Sequence, residues 1–362
     1  MTIFSRLFPA RSQRIFSAWQ VEITTRCPLR CIMCVKEGCR TLTYKDMEVE
    51  DFRALSPYFS RVRNIVLEGW GESLMHGHLA ECIRIVKAAG ARAGFVTSGS
   101  GLTESYAREI LAAGVDFVGF SLSGATAETH SRIRVNSDFD HLLWAIRLLK
   151  RLASDKGKDK PAIHIVYLML QENIDEIPLM MDLAASLCVE EVLLIHMVQV
   201  TDASQDRSKA FTCQGESPYR ELLARARARA DKLGIHLALP SLMPRDVAVC
   251  GENPLENLYI SVDGLVSPCV YLHPPVASPF PRIYCGTEYP TETVSFGNVL
   301  HEPFDDIWES DAYRQFRGHF MARRKEWRDV QASLLFERRF PDNAPLPDPP
   351  LPCKTCHKML GF

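Results

Sequence analysis

No run of about 18 or more uncharged apolar residues occurs in this 362-residue chain, so the sequence offers no helical membrane span. The opening residues, MTIFSRLFPARSQRIFSAWQ, lack the continuous apolar stretch of an export signal, because Arg6, Arg11 and Arg14 interrupt them. Both absences point to the cytoplasm. A surplus of basic charge is missing too. The formal net charge is −2, whereas a general nucleic-acid binder normally carries a basic excess. No internal repeat is found. The remainder is ordinary, with 46% hydrophobic and 24% charged residues, and the length suits one large domain plus a smaller one.

Cysteine, by contrast, is plentiful, with 12 in the chain. Disulfides are disfavoured in a reducing compartment, so clustered cysteines point to metal binding or catalysis. Cys27, Cys31, Cys34 and Cys39 form one group. Cys250, Cys269, Cys285, Cys353 and Cys356 form another in the last third of the chain. Cys82, Cys188 and Cys213 stand apart. For Cys82 and Cys188, in helix-like segments, a small buried hydrophobe is the expectation.

From about residue 18 to 240 the pattern alternates strand and helix. The segments 18–24, 63–69, 91–99, 115–123, 162–170 and 190–198 are short apolar runs of the kind buried in parallel sheets. Between them, 79–90 and 103–114 are amphipathic and stop at glycine, the second after a Thr103 cap. The segment 173–189 opens at Asn173 with acids in its first turn, which suits the helix dipole. Six βα units are too few for a closed eight-stranded barrel. The expected α/β fold is therefore a partial, open (β/α)6 TIM-type barrel over 18–240, preceded by an extension at 1–17. Its site should lie at the C-terminal strand ends. From 241 to 362 the texture changes to a small, irregular, cysteine-rich α+β region. There a hairpin is expected around Asp263–Gly264, a helix within 295–320, and a proline-rich linker at 341–352.

Cys27, Cys31 and Cys34 have the spacing C-x3-C-x2-C. Three thiolates leave one iron of a [4Fe–4S] cluster without a protein ligand, where a substrate can bind. Structural zinc, with Cys39 as fourth ligand, is the competing reading.

The segment VEITTRCPLRCIMC resembles the signature of the radical S-adenosylmethionine (SAM) superfamily. The resemblance continues in order along the chain. Gly69-Trp70-Gly71-Glu72-Ser73 is similar to that family's GGEP segment, with Trp70 and Ser73 departing from it. Thr97-Ser98-Gly99 ends the third strand, and SLSGATAETHSRIR (121–134) resembles a family run at the end of the fourth. The resemblance implies that Met33, Gly69, Gly71, Glu72, Ser98, Ser121, Ser123 and Arg134 bind SAM, with Arg134 pairing with its carboxylate. It also implies a cluster that reductively cleaves SAM to a 5′-deoxyadenosyl radical, fed by a flavodoxin- or ferredoxin-type donor. Competing readings are a packing methionine for Met33 and backbone-bonded strand-end residues for the serines.

Cys250, Cys269, Cys353 and Cys356 offer the four thiolates of a fully ligated second [4Fe–4S] cluster. With VDGLVSPC, FGNV and the terminal CKTC, they resemble the SPASM and Twitch auxiliary-cluster extensions of the same superfamily. Fuller SPASM domains carry seven cysteines, so one auxiliary cluster is expected here. Cys285 is left over: it could replace a ligand, bind substrate or have no role, and the last is favoured. Zinc competes for the four cysteines. So does c-type haem, because Cys353 to His357 reads C-x2-C-H, although no export signal accompanies it.

The basic segment 314–339 reads as a solvated helix face or a docking face for an acidic partner, and 224–232 as a solvated face. His164 and His196 lie in strand-like runs, with His196 a core or SAM-proximal residue. The expected function is a radical SAM oxidoreductase in peptide or protein maturation. No leader-binding domain is recognised ahead of the barrel, which weakens a leader-dependent role. A small-molecule dehydrogenase or cyclase is the alternative. A non-catalytic iron–sulfur or zinc-binding protein is the second, and Glu72, Ser121 and Arg134 count against it. No catalytic acid or base is identified.

Overall fold

The structure is a computed structural model that describes residues 14–37, 44–154, 161–336 and 346–362, without the side chains of 331–336. Cys39, residues 1–13 of the N-terminal extension and 341–345 of the proline-rich linker lie outside the described residues.

Thirteen strands follow one another among the described residues. β1 (Phe16–Val21), β3 (Val62–Val66), β4 (Arg92–Thr97), β5 (Phe117–Leu122), β7 (Ala162–Met169) and β8 (Glu191–His196) are the six expected barrel strands. They are joined in this order in one parallel sheet, extended by the short parallel β9 (His236–Ala238) beside β8. β2 (Arg30–Cys31) and β6 (Arg134–Val135) form a separate two-residue ladder. β10 (Asn257–Ile260) and β11 (Val266–Ser267) make the expected hairpin, and β12 (Phe280–Tyr284) and β13 (Thr287–Thr291) make a second.

Helices return the chain between the strands, as right-handed parallel crossovers require. They span Leu79–Ala88, Glu104–Ala113, Phe139–Ser154, Ile177–Ser186 and Arg220–Leu233. Thr103 caps its helix by accepting from the Tyr106 N–H, and Gly114 ends it in the left-handed region. The helix expected from Asn173 instead begins at Ile177, after one 3-10 turn. Asn173 is buried and bridges β5 to β7, donating to Ser123 O and Leu168 O. Cys82 is buried as expected, but Cys188 is exposed. It follows the C-cap of Ile177–Ser186 with a positive φ, where the chain turns outward.

The apolar strands are not buried on both faces. Burial alternates along β7, with His164, Val166 and Leu168 only half-buried. These three side chains share one face of the strand, and the buried Ile163, Ile165 and Tyr167 share the other. The hairpin β10–β11 adds to the same sheet: β10 pairs parallel with β1 on the side opposite β3. The helix Phe304–Trp308 closes over the outer face of β1, with Phe304 4.5 Å from Trp19 and Trp308 4.9 Å from Phe16 between ring centroids. No helix among the described residues is long and apolar enough to cross a membrane.

Candidate active site at the barrel mouth

Cys27, Cys31 and Cys34 lie in the loop after β1, and the β2–β6 ladder pins that loop across the barrel mouth by pairing Cys31 with Arg134. Burial pushes all three thiols up, while Lys36 and Arg134 nearby work against it. Such desolvated sulfurs favour a cationic centre that takes them as thiolates. A tetrahedral zinc with Zn–S of about 2.3 Å would hold its sulfurs about 3.8 Å apart. Among the described residues, the only three such ligands within 4.8 Å of one another are Cys213, Cys285 and His357. The three N-terminal sulfurs are not all drawn together on that scale, which counts against a single zinc ion held by them.

The loop after β3 reaches the cluster loop closely. A Cβ at Gly71 would lie 2.1 Å from Thr24 O, and one at Gly69 would lie 2.5 Å from the Glu22 side chain. Only glycine permits this approach. Glu72 N–H donates to Arg26 O at 2.7 Å and fixes it. The Glu72 carboxylate is fully engaged within the protein. It accepts from Thr97 Oγ1 at 2.6 Å, Ser98 N at 2.7 Å, Ser98 Oγ at 2.6 Å and Leu74 N at 3.1 Å. Glu72 and Ser98, both expected to bind SAM, here fasten the ends of β3 and β4 to each other. The backbone of 69–71 is left facing the cluster loop.

On the strand beside β4, Ser121 of β5 pairs with Val166 and is half-buried. Ser123 is buried and its Oγ accepts from Arg134 Nε at 2.9 Å, while Arg134 Nη1 lies 3.9 Å from Cys31 Sγ. The turn behind Ser123 is held by two residues that sequence reasoning passed over. The Glu176 carboxylate accepts from Ala125 N, Thr126 N, Thr126 Oγ1 and Thr129 Oγ1. His130 Nδ1 accepts from Ser123 N at 3.3 Å, and burial holds this imidazole neutral by lowering its pKa to about 3. Met33 is half-buried against the apolar cluster of Ile133, Leu170, Met197, Val200 and Ile283.

Cys250, Cys269, Cys353 and Cys356 line one enclosed cavity with Pro268, Leu272 and Phe316. Four thiols around an apolar space match the donor set of an iron–sulfur cluster. Cys353 and Cys356 face Cys250 and Cys269 there, and His357 turns away to Val198 O, which disfavours a c-type haem. Cys285 is not idle: it is disulfide-bonded to Cys213, because the β12–β13 tip folds against the loop before Arg220–Leu233. His196 is a core residue, packed on Phe211 and Phe362, with its pKa lowered to about 4 by burial.

A cavity of about 400 Å³ is bordered by Cys269 and by Gly69 and Trp70 of the loop after β3. Gln20, Val66 and Glu68 form its barrel side, and Glu252, Cys269 and Tyr271 form its other side. Trp70 Nε1 donates to His273 O at 3.2 Å and ties the two sides together. Glu68, also unremarked in the sequence, has its pKa raised to about 7 by burial and by Glu252 and Glu72. Its signal was an acid one residue ahead of the Gly69–Glu72 motif.

Residues 21–184 match the family model of the radical SAM superfamily, and residues 250–332 match SPASM, an iron–sulfur cluster-binding domain. The chain is 28% identical over 312 residues to a tungsten-containing aldehyde ferredoxin oxidoreductase cofactor-modifying protein of Pyrococcus furiosus, which covers 82% of each chain. It is 24% identical over 323 residues to an AdoMet-dependent heme synthase of Methanosarcina barkeri, covering 83% of this chain and 84% of that one. Streptococcus suis SuiB bound to S-adenosylmethionine shares the fold, with a TM-score of 0.61 at 12% identity, over 83% of this chain and 68% of SuiB. So does anSMEcpe with bound AdoMet and a peptide, with a TM-score of 0.59 at 13% identity over 95% of each chain.

Proposed function

We propose that this chain, an enzyme of the radical SAM superfamily with a SPASM iron–sulfur domain behind its barrel, is an oxidoreductase acting on a compact substrate between Glu68 and Cys269. The observation that carries this is the shared cavity, which opens on the barrel motif at Gly69 and Trp70 and on Cys269 of the second cysteine site. Bound at Cys27, Cys31 and Cys34 and at Cys250, Cys269, Cys353 and Cys356, iron–sulfur clusters supply one-electron chemistry: SAM cleavage to a hydrogen-abstracting radical at the first, electron acceptance at the second.

The protein's own residues position and protonate. By family resemblance SAM would meet Met33, the 69–71 backbone, Ser121 and Arg134. Glu72, Ser98, Ser123, Glu176 and His130 hold those groups in place. A net two-electron oxidation removes a hydrogen atom, an electron and a proton from the substrate. The Glu68 carboxylate is the group in the cavity suited to take that proton, since a base works best with a pKa near the operating pH. A flavodoxin- or ferredoxin-type donor and a cytoplasmic setting complete the reading. The boundary between barrel and cluster region is placed at 240/241.

A small-molecule substrate suits the cavity, which is at the lower end of ligand-site volumes of about 300–1,000 Å³. It also agrees with the relatives that cover most of this chain, whose names describe cofactor modification and heme synthesis. Peptide or protein maturation is the second reading, favoured by the exposed cations Arg314, Lys325 and Arg328. Arg317 and Arg323 of the same helix are turned inward, Arg317 over the Trp308 ring at 3.6 Å and Arg323 bonded to Val247 O at 2.8 Å. The basic face is thus smaller than the sequence implied. The test is anaerobic turnover of SAM by the iron-loaded enzyme with candidate substrates of each class. Substrate-dependent 5′-deoxyadenosine, with deuterium carried into it from labelled substrate, supports the reading. SAM cleavage that no substrate accelerates and no label enters counts against it.

A further inference from the structure

Outside the two cluster sites, one more set of thiophilic ligands meets among the described residues. Cys213 lies between the helices Ala203–Ser208 and Arg220–Leu233, Cys285 at the tip of β12–β13, and His357 immediately after Cys356. Three distant segments therefore bring two sulfurs and a ring nitrogen within 4.8 Å of one another.

The imidazole is held as a ligand would be. His357 is fully buried, and its Nδ1 lies 3.2 Å from Val198 O. A carbonyl can only accept, so Nδ1 carries the proton and Nε2 presents its lone pair towards Cys285. Metal-binding histidines are oriented in this way, with the second nitrogen donated to a backbone carbonyl. The partner of that lone pair is weak, the Cys285 N–H at 3.4 Å.

Cys285 itself sits at an unusual place. It has a φ of +52° and is followed by Gly286 at +82°, a two-residue hairpin turn that normally takes Asn, Asp or Gly. A side chain other than these is strained in the left-handed region. A thiol kept there despite that strain points to use of the sulfur. Cys285 is exposed and Cys213 half-buried. Both open onto a cleft with Gln171, Asp206 and Lys209, so a fourth position at this group would face solvent.

We propose that Cys213, Cys285 and His357 form a mononuclear site for a thiophilic divalent cation of the zinc class, alternating with the disulfide seen here. The Cys213–Cys285 bond is converted into two thiols either by two reductant thiols, which supply two electrons and two protons and become a disulfide, or by a phosphine, which supplies two electrons and becomes its oxide while water supplies the two protons. The cation then displaces those two protons, binding both thiolates and His357 Nε2, with water completing a four-coordinate set. The oxidised pair has no thiolates to offer and excludes the metal. The disulfide ties the tip of β12–β13 to Cys213, and a bound metal would tie His357, beside Cys356, to the same place. Nothing here depends on the reaction proposed above.

The test uses the full-length, iron-loaded protein under anaerobic conditions. Oxidised and phosphine-reduced samples receive zinc chloride, are desalted, and are assayed for zinc and iron. The reduced protein is expected to retain one zinc per chain beyond its iron, and the oxidised protein none. Peptide mapping after alkylation should show zinc protecting Cys213 and Cys285. The Cys213→Ser/Cys285→Ser double variant should lose the zinc and keep the iron. Equal zinc in oxidised and reduced wild type, no zinc in either, or protection mapping to other cysteines overturns the proposal. The wild-type comparison stands even if the double variant misfolds.

Discussion

Arg134 Nε donates to Ser123 Oγ at 2.9 Å while its Nη1 rests 3.9 Å from Cys31 Sγ. One guanidinium thereby spans from the end of β5 to the cluster loop. A planar fork is needed for this reach, and a lysine cannot make both contacts. Arg134→Lys should raise the KM for SAM about 10- to 100-fold, the worth of one or two charge-assisted hydrogen bonds. Ser123→Ala should raise it less, since it removes only the positioning bond. SAM-dependent kinetics and SAM binding measured by calorimetry would check both. An unchanged KM in Arg134→Lys would remove Arg134 from the SAM site.

Gly71→Ala should be severe. The added carbon would sit 2.1 Å from Thr24 O, and a main-chain oxygen cannot swing aside as a flexible side chain could. Overpacking of this kind costs about 1–3 kcal/mol or more. It would push the 69–72 loop away from the cluster loop. The expected outcome is reduced iron retention at the N-terminal site and a lower melting temperature. Normal iron content and melting would show that the loop can yield.

Glu68 gives a pH dependence with a definite sign. As a base it must be ionised, and its pKa is raised to about 7. Substrate turnover should therefore rise as the pH climbs through about 7 and then level off. Glu68→Gln should lower kcat by about 10²- to 10⁴-fold while leaving reductive SAM cleavage without substrate intact. The same raised pKa means that the folded chain binds this proton more tightly than the unfolded chain. Stability should thus fall as pH rises from the ordinary glutamate value towards 7, and the Gln variant should lack that slope. A pH profile identical in the variant would exclude Glu68 as the proton acceptor.

Cys353→Ala tests the second cluster. Two cubanes predict about eight irons in the wild type and about four in this variant. SAM cleavage should persist, with substrate oxidation lost. Retained substrate oxidation with four irons would remove the electron-accepting role.

Much of the barrel was legible in the sequence because its strands and helices follow one another with clear periods and caps, as at Thr103 and Gly114. The cysteine triad was legible for the same local reason. The bonds that fix the site were not. Glu72 reads as a ligand, yet its carboxylate is consumed by Thr97 and Ser98, a contact set by the spacing of β3 and β4. Asn173 reads as a helix cap but is a buried bridge between strands. Cys213, Cys285 and His357 stand 72 residues apart at each step, and no local pattern joins them. Glu68 precedes a motif, but nothing local marks its raised pKa, which comes first from burial and then from the like charges of Glu252 and Glu72.

The parallel pairing of β10 with β1 has a consequence for how the molecule can be divided. Without it, β1 would present a bare row of N–H and C=O groups, the template on which other chains add themselves. The barrel up to residue 240 is therefore not a free-standing unit. Cut there, it would expose its first strand to aggregation, and Phe16 and Trp19 would lose the aromatic cover of Phe304 and Trp308. The region that follows the barrel is thus also its selvage, the woven border that keeps the cloth from fraying.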